Sequence, residues 1–332
     1  MGGYSGNFLN DVWKYDITIN QWTWISGTSI ANNVGNYGTK NIPGTNNILP
    51  CNSENSCSWV DSANNVWVFG GMNPSGVLDA MWRYFPSTNM WAWESGTSNY
   101  YVPRNSGTKN IPAASNSPGG RFVQGCWNDD AANLYLYGGC SYPSNIFFYD
   151  DVWRFNINNK LWTWVGGSTN IDYLGIQNSI CDTIFSNMPQ YRFEVRSKAK
   201  DNCNNFWFLG GSVNYAGYNQ WNDLWVYETN TDKWIWVGGS SSQNGSGSYG
   251  IKGISSPLNQ PPSRGGSYNW FDATGNLFVF GGDGPGFDFY SDVWKFVPDP
   301  NCVSYLYNQH RPHRLILLKR HCFMRKKCDR FF

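Results

Sequence analysis

Five aspartates recur along the chain, Asp11, Asp79, Asp151, Asp223 and Asp292, each just ahead of a tryptophan. Grouped carboxylates hold metal ions or move protons. These stand one per interval, too far apart to act as a pair. An Asp that opens a strand after a loop commonly accepts backbone N–H bonds, and that structural role is the expectation here. Three arginines, Arg121, Arg192 and Arg264, sit 17 or 18 residues ahead of a Gly-Gly pair, with Ser53 in that place in the second interval. Converging guanidinium groups can bind an anion. Three lysines, Lys40, Lys109 and Lys252, share a loop phrase. It reads YGTKNIP at 37–43, GTKNIP at 107–112 and YGIKG at 249–253, with Gln177 near the lysine place in a degraded copy. They could ring a mouth with Tyr and Lys, or the loop could fold onto its own repeat with the lysine capping carbonyls. Repetition in register favours the second, since recognition residues tend to differ between repeats.

Aromatic residues that do differ between repeats are better candidates for binding. They are Tyr142, Phe147, Phe148, Tyr149, Tyr215, Tyr218, Trp221, Phe287, Phe289 and Tyr290. Such side chains anchor interfaces or stack on sugars, and each could equally plug its own loop. The catalytic search is negative. His310, His313 and His321 all lie in the last 27 residues, so the rest of the chain offers no histidine triad or general base. P-loop and zinc spacings are missing. No enzymatic activity, metal or cofactor is expected.

What positions these residues is a repeat. The phrase NDVWKYDITINQWTW at 10–24 returns, blurred, at 78–93, 150–164 and 222–236, and as SDVWKF at 291–296. Its first tryptophans, Trp13, Trp82, Trp153, Trp225 and Trp294, are 69, 71, 72 and 69 residues apart. Apolar runs ending in Gly-Gly keep step with it: Gly70 and Gly71, Gly138 and Gly139, Gly210 and Gly211, Gly281 and Gly282, with Gly2 and Gly3 ahead of the first copy. A fixed period of this kind marks a repeat architecture, in which no unit buries its apolar face alone. Each unit reads as four short strands, A to D, joined by Asn-, Asp- and Gly-rich turns. The fold class is all-β, and four antiparallel strands repeated around an axis make a β-propeller. The Gly pair turns the chain where side chains would clash, and the tryptophans fill the space between sheets.

Gly-Gly, an aromatic some dozen residues on, and a Trp after a short turn make up the kelch motif. Over about residues 2–296 the chain resembles kelch-repeat proteins of the galactose oxidase-like branch, with its YGTK-x-x-P inserts and NDVWKYD signature. The resemblance implies six or seven blades, and arginines at the Arg121 place that bridge blades. It carries over no galactose oxidase activity, because the copper site needs two histidines.

The expected domain spans 1–305, with a partial blade at about 2–24, blades at 50–93, 118–164 and 189–236, and a degenerate one at 262–305. Residues 306–332 hold eight Lys/Arg and one acid. They are expected to be disordered or foreign to the fold, and the chain to be a fragment or a mispredicted gene model. The net charge of +1 predicts no nucleic-acid partner for the propeller. No apolar run approaches the roughly 18 residues of a membrane span. The N-terminus lacks a secretory signal. A cytoplasmic site follows if the N-terminus is complete, and an extracellular one if a signal peptide has been lost. Free thiols are expected among the nine cysteines, with a Cys51–Cys57 loop bridge as the alternative. One sequon stands at Asn244. The A–B and C–D turns are short, so length and variability gather in the B–C and D–A loops of one face. The functional expectation is a non-catalytic scaffold presenting those loops to a protein partner; the alternative is an extracellular carbohydrate-binding or adhesive module.

Overall fold

In the first repeat a small ribbon, β1 (Gly3–Tyr4) with β2 (Phe8–Leu9), precedes a hairpin of β3 (Val12–Asp16) and β4 (Gln21–Ser26). The second repeat runs β5 (Cys57–Val60), β6 (Val66–Phe69), a ribbon of β7 (Met72–Asn73) and β8 (Gly76–Val77), then β9 (Met81–Phe85) and β10 (Met90–Ser95). The third repeats this plan with β11 (Gly125–Asn128), β12 (Asn133–Tyr137), the ribbon β13 (Cys140–Ser141) and β14 (Phe147–Phe148), β15 (Val152–Asn156) and β16 (Leu161–Gly166). The fourth has β17 (Phe206–Ser212), β18 (Gln220–Glu228) and β19 (Lys233–Gly238), with a Lys200–Phe206 bridge at the first strand's place. The fifth has β20 (Tyr268–Phe271), β21 (Leu277–Phe280) and β22 (Val293–Phe296). The computed structural model describes residues 2–52, 56–142, 146–182, 187–213, 219–286 and 288–299. Every strand pair in it is antiparallel, and it contains no helix among the described residues.

The second and third repeats are complete sheets in the order A-B-C-D, β5-β6-β9-β10 and β11-β12-β15-β16. Period-2 alternation gives each sheet two faces with different jobs. One face of the second sheet (Cys57, Trp59, Trp67, Phe69 and Met81) packs on Leu136, Trp153, Phe155 and Trp162 of the third. Its other face (Val68, Trp82, Tyr84 and Trp91) receives Val12 and Ile25 from the first hairpin. A sheet therefore receives its predecessor on a tryptophan-rich face and leans on its successor with the other. Ring pairs set the junction, with Phe69 and Trp162 at 5.0 Å and Trp67 and Phe155 at 5.8 Å between centroids.

By internal packing the chain forms two units. One is Met1–Gly175 with Gln190–Arg196, and the other is Ile176–Pro189 with Ser197–Phe332. The second unit uses the same plan, Trp207, Leu209, Leu224, Val226 and Ile235 packing on Leu277 and Val279.

The cysteine expectation holds for four residues and fails for two. Cys51, Cys57, Cys126 and Cys140 are free and buried, so no Cys51–Cys57 bridge forms. Cys181 and Cys203 are each disulfide-bonded, which neither spacing nor recurrence announces.

Candidate functional site

The Gly-Gly pairs set the geometry of the surface where variable residues gather. Both glycines of each pair have left-handed φ, for example 70° and 96° at Gly70 and Gly71. The amide of Gly71 donates to Arg121 O at 2.8 Å, that of Gly139 to Arg192 O at 2.8 Å and that of Gly211 to Arg264 O at 2.9 Å. These three pairs thus dock on the backbone of the next repeat's arginine, so close that a Cβ on Gly210 falls 2.3 Å from Arg264 O. Beyond the kink the chain forms a short ribbon rather than an open loop, which the strand count from sequence missed.

The arginine side chains turn inward. Arg121 is fully buried and donates to Gly138 O at 3.0 Å and to Asp151 Oδ1 at 2.6 Å and Oδ2 at 3.1 Å. Arg264 donates to Gly281 O at 2.9 Å and to the Asp292 carboxylate at 2.6 and 2.9 Å. Trp153 Nε1 and Trp294 Nε1 donate to the same carboxylates, both at about their normal bond length, 2.8 and 2.7 Å. Burial works to raise the Asp292 pKa, but the bonds from Arg264, Trp294 and Tyr249 outweigh it and hold it at about 2. Burial likewise opposes ionisation of Asp151, and Arg121 and Arg104 override it, leaving its pKa lowered.

Two assignments made from sequence shift by one residue. In the second repeat Asn52, not Ser53, takes the arginine place. Gly3 donates to its carbonyl at 3.0 Å, and its Nδ2 reaches Gly70 O at 2.7 Å. Asp79 is not the counterpart of Asp151. It lies three residues before its tryptophan, where Asn10, Asp150 and Asn222 stand, and all four accept the amide of the residue 18 positions on, Thr28, Thr97, Ser168 and Ser240. Ala80 holds the Asp151 place. The Arg–Asp pair is replaced as a pair, by Asn52 and Ala80, and Trp82 Nε1 is left buried without a partner. A further recurring acid was not singled out from sequence. Asp61, Asp129, Asp201 and Asp272 each close the A–B turn by accepting two backbone amides and the side chain of an Asn four residues on.

The expected capping of a carbonyl by the lysine is seen at Lys40. The loops that carry Lys40 and Lys109 lie on the repeat they lead into, along its outer strand. Asn41 N donates to Trp93 O at 2.7 Å and Gly44 N to Trp91 O at 3.1 Å; Asn110 N meets Trp164 O at 2.9 Å. Lys40 Nζ donates to Gly96 O at 2.7 Å and lies 4.2 Å from the Trp93 ring, while Lys109 lies 5.8 Å from Trp164. Lys252 is exposed. The loops thereby cover a sheet edge that would otherwise present unpaired backbone groups.

The aromatic candidates divide by exposure. Phe148 is buried between Tyr191 and Phe193, with centroids at 5.2 and 5.0 Å. Tyr149 is buried and lies 4.0 Å from the Arg121 guanidinium. Trp221 is buried, and its carbonyl accepts the Arg264 amide at 2.9 Å. Tyr142 is half-buried with its hydroxyl against Met72 Sδ, Phe147 is half-buried, and Tyr290 is half-buried 4.5 Å from Arg264. Phe289 is 83% exposed. Tyr215, Tyr218, Phe287, Ser53, the three histidines and the basic tail lie outside the described residues.

Residues 1–25 match the family model of the Kelch motif. A solved structure, that of YjhT, aligns over 89% of this chain and 93% of its own, with a TM-score of 0.50 and 12% identity. With that the sheets have their name. The fold is that of a β-propeller, and its first repeat carries a Kelch motif. No curated protein sequence matches it. Among the described residues, no group of three or more His, Cys, Asp or Glu is placed to hold a metal ion, and no helix is long and apolar enough to cross a membrane. The Arg121 and Arg264 side chains join strands within their own repeats rather than bridging blades, and it is their backbone carbonyls that hold the preceding Gly pair.

Proposed function

We propose that this kelch-repeat protein is a non-catalytic binding module, a rigid scaffold whose B–C ribbons engage a protein partner. Phe289 supports this reading most directly. Its backbone is pinned by a bridge to Asp283, while its side chain stays 83% exposed. An aromatic on an already ordered backbone loses little entropy on binding and makes an efficient interface anchor. Among the described residues, Asp151, Asp292, Arg121 and Arg264 are bonded within their sheets, which favours binding over turnover. A photo-reactive aromatic at Phe289 tests the idea. It is expected to trap a discrete protein partner that the same probe at exposed Ile254 does not trap. The same adducts from both positions would count against it.

A second reading, a glycan-binding or adhesive surface in an extracellular setting, is favoured by the disulfide-bonded Cys181 and Cys203, since disulfides persist in oxidising compartments. A glycan array decides for it if specific binding is lost in Phe289→Ala.

A further inference from the structure

The first hairpin and the last sheet each carry an apolar face of a kind that is covered elsewhere in the chain. Trp13, Tyr15, Trp22 and Trp24 on β3 and β4 hold the places of Trp82, Tyr84, Trp91 and Trp93, and of Trp153, Phe155, Trp162 and Trp164. In the second and third blades that face receives the preceding blade. In the first hairpin the four side chains are 41–66% exposed. The last sheet shows the complement. Tyr268, Trp270, Phe278, Phe280 and Val293 are paired across β20, β21 and β22 in the register that joins Cys57, Trp59, Trp67, Phe69 and Met81. In the second blade these residues lean on the third. In the last sheet Tyr268, Trp270, Phe280 and Val293 are 43–62% exposed. Even the flanking cation matches, Lys295 over Phe278 as Arg83 lies over Trp67.

We infer that these two faces bind one another between copies of the chain, the last sheet of one copy seating on the first hairpin of the next. The internal junction supplies the geometry. Phe280 meets Trp22 as Phe69 meets Trp162, and Phe278 meets Tyr15 as Trp67 meets Phe155. The polar requirements match too. Trp13 Nε1 already donates to Asp11 and Trp24 Nε1 to Ser26 O, so their burial strands no donor. Trp22 Nε1 lacks an acceptor, whereas its counterpart Trp91 donates across the junction to Ser26 Oγ at 2.9 Å. Trp270 Nε1 is in the same position, and its counterpart Trp59 donates across the junction to Trp127 O at 2.7 Å. Eight large side chains giving up on the order of 100 Å² each, with their neighbours, approach the roughly 1,000 Å² of a specific interface. The two surfaces differ, so the contact is head-to-tail and either closes into a ring or extends into a chain of copies.

Sedimentation velocity on the full chain, from about 1 µM to about 100 µM, tests this within the affinity range of interfaces of such size. The mass is expected to rise above the monomer with concentration. Trp22→Lys removes the receiving face and Tyr268→Lys the inserting one; both sites are exposed, and melting temperature checks that each variant folds. Each variant alone is expected to be monomeric. An equimolar mixture is expected to form a one-to-one dimer and nothing larger, because one good face remains on each variant. A chain that stays monomeric throughout, or an assembly indifferent to both substitutions, overturns the inference.

Discussion

Arg264 and Asp292 are joined by two parallel bonds, Nη1 to Oδ1 at 2.6 Å and Nη2 to Oδ2 at 2.9 Å, with the arginine side chain fully buried. Fork-to-fork pairing of this kind fixes orientation as well as charge. The second blade shows what the fold accepts in its place, a short carboxamide at Asn52 and a methyl at Ala80. Removing one partner alone leaves a buried charge uncompensated.

Asp292→Ala is therefore expected to cost about 3–5 kcal/mol by stranding Arg264. The double substitution Arg264→Asn with Asp292→Ala, which reproduces the natural pair, is expected to be less destabilised than Asp292→Ala alone. Urea unfolding of the four members of the cycle measures the coupling. Additive losses would mean that the pair does not act as a unit.

Asp150 is the carboxylate whose neighbours disfavour its charge. Burial, then the adjacent Asp151 carboxylate, raise its pKa from 3.8 to about 7, and its Oδ1 has no partner. A folded-state pKa above the unfolded one means the native state holds the proton more tightly. Its contribution is present in full below pH ~4 and is lost as pH rises through ~7, amounting to about 4 kcal/mol at most. Asn10 and Asn222 occupy the same place in other blades. Asp150→Asn is expected to raise the melting temperature at pH 8 and to lose that advantage at pH 4. An equal effect at both values rules out ionisation as the cause.

The Gly pairs give a contrast within one residue type. Gly210 has φ of 70°, and a Cβ there falls 2.3 Å from Arg264 O. Gly286 has φ of 83° and nothing within 4 Å of its Cβ. Gly286→Ala is expected to cost about 1 kcal/mol through backbone strain alone. Gly210→Ala adds a backbone clash and is expected to cost about 2–5 kcal/mol. Thermal or urea unfolding ranks the two; equal losses mean that blade docking at Arg264 O is not what requires glycine.

The repeat, its strands and its Gly pairs are legible in sequence because each is carried by a local pattern with a fixed period. The Arg–Asp logic is only half legible. Asp79 in LDAMW sits one residue from where NDVW places its Asp, and only the shared bonds to Thr28, Thr97, Ser168 and Ser240 show which positions correspond. Asn52 hides for the same reason, since its role is visible in the carbonyl it reaches and not in its residue type. Loop aromatics are ambiguous by nature. Phe148 packs on Tyr191 and Phe193 of the next repeat and Tyr149 on Arg121 of its own, while Phe289 is exposed, and the chain offers no local pattern that separates these cases. Which neighbouring blade the lysine loops cover is not legible, because Lys40 and the Gly96 carbonyl it caps are 56 residues apart, beyond any local signal.

Lys40 is a latch on that loop. Its ammonium crosses the outer strand to Gly96 O and covers Trp93, and burial lowers its pKa. The loop behind it covers the backbone of β10 through Asn41 N and Gly44 N. Lys40→Met keeps the aliphatic cover of Trp93 but removes the bond to the carbonyl. Hydrogen exchange is expected to speed up at Asn41 and Gly44 while the amides of β9, on the far side of β10, keep their protection, because local opening draws on local contacts. Lys109→Met is expected to act in the same way on Asn110 in the third blade, with a smaller effect, since its ammonium lies farther from its ring, at 5.8 Å against 4.2 Å. Unchanged exchange in both variants would assign the docking to backbone bonds alone and leave the two ammonium groups available for a ligand.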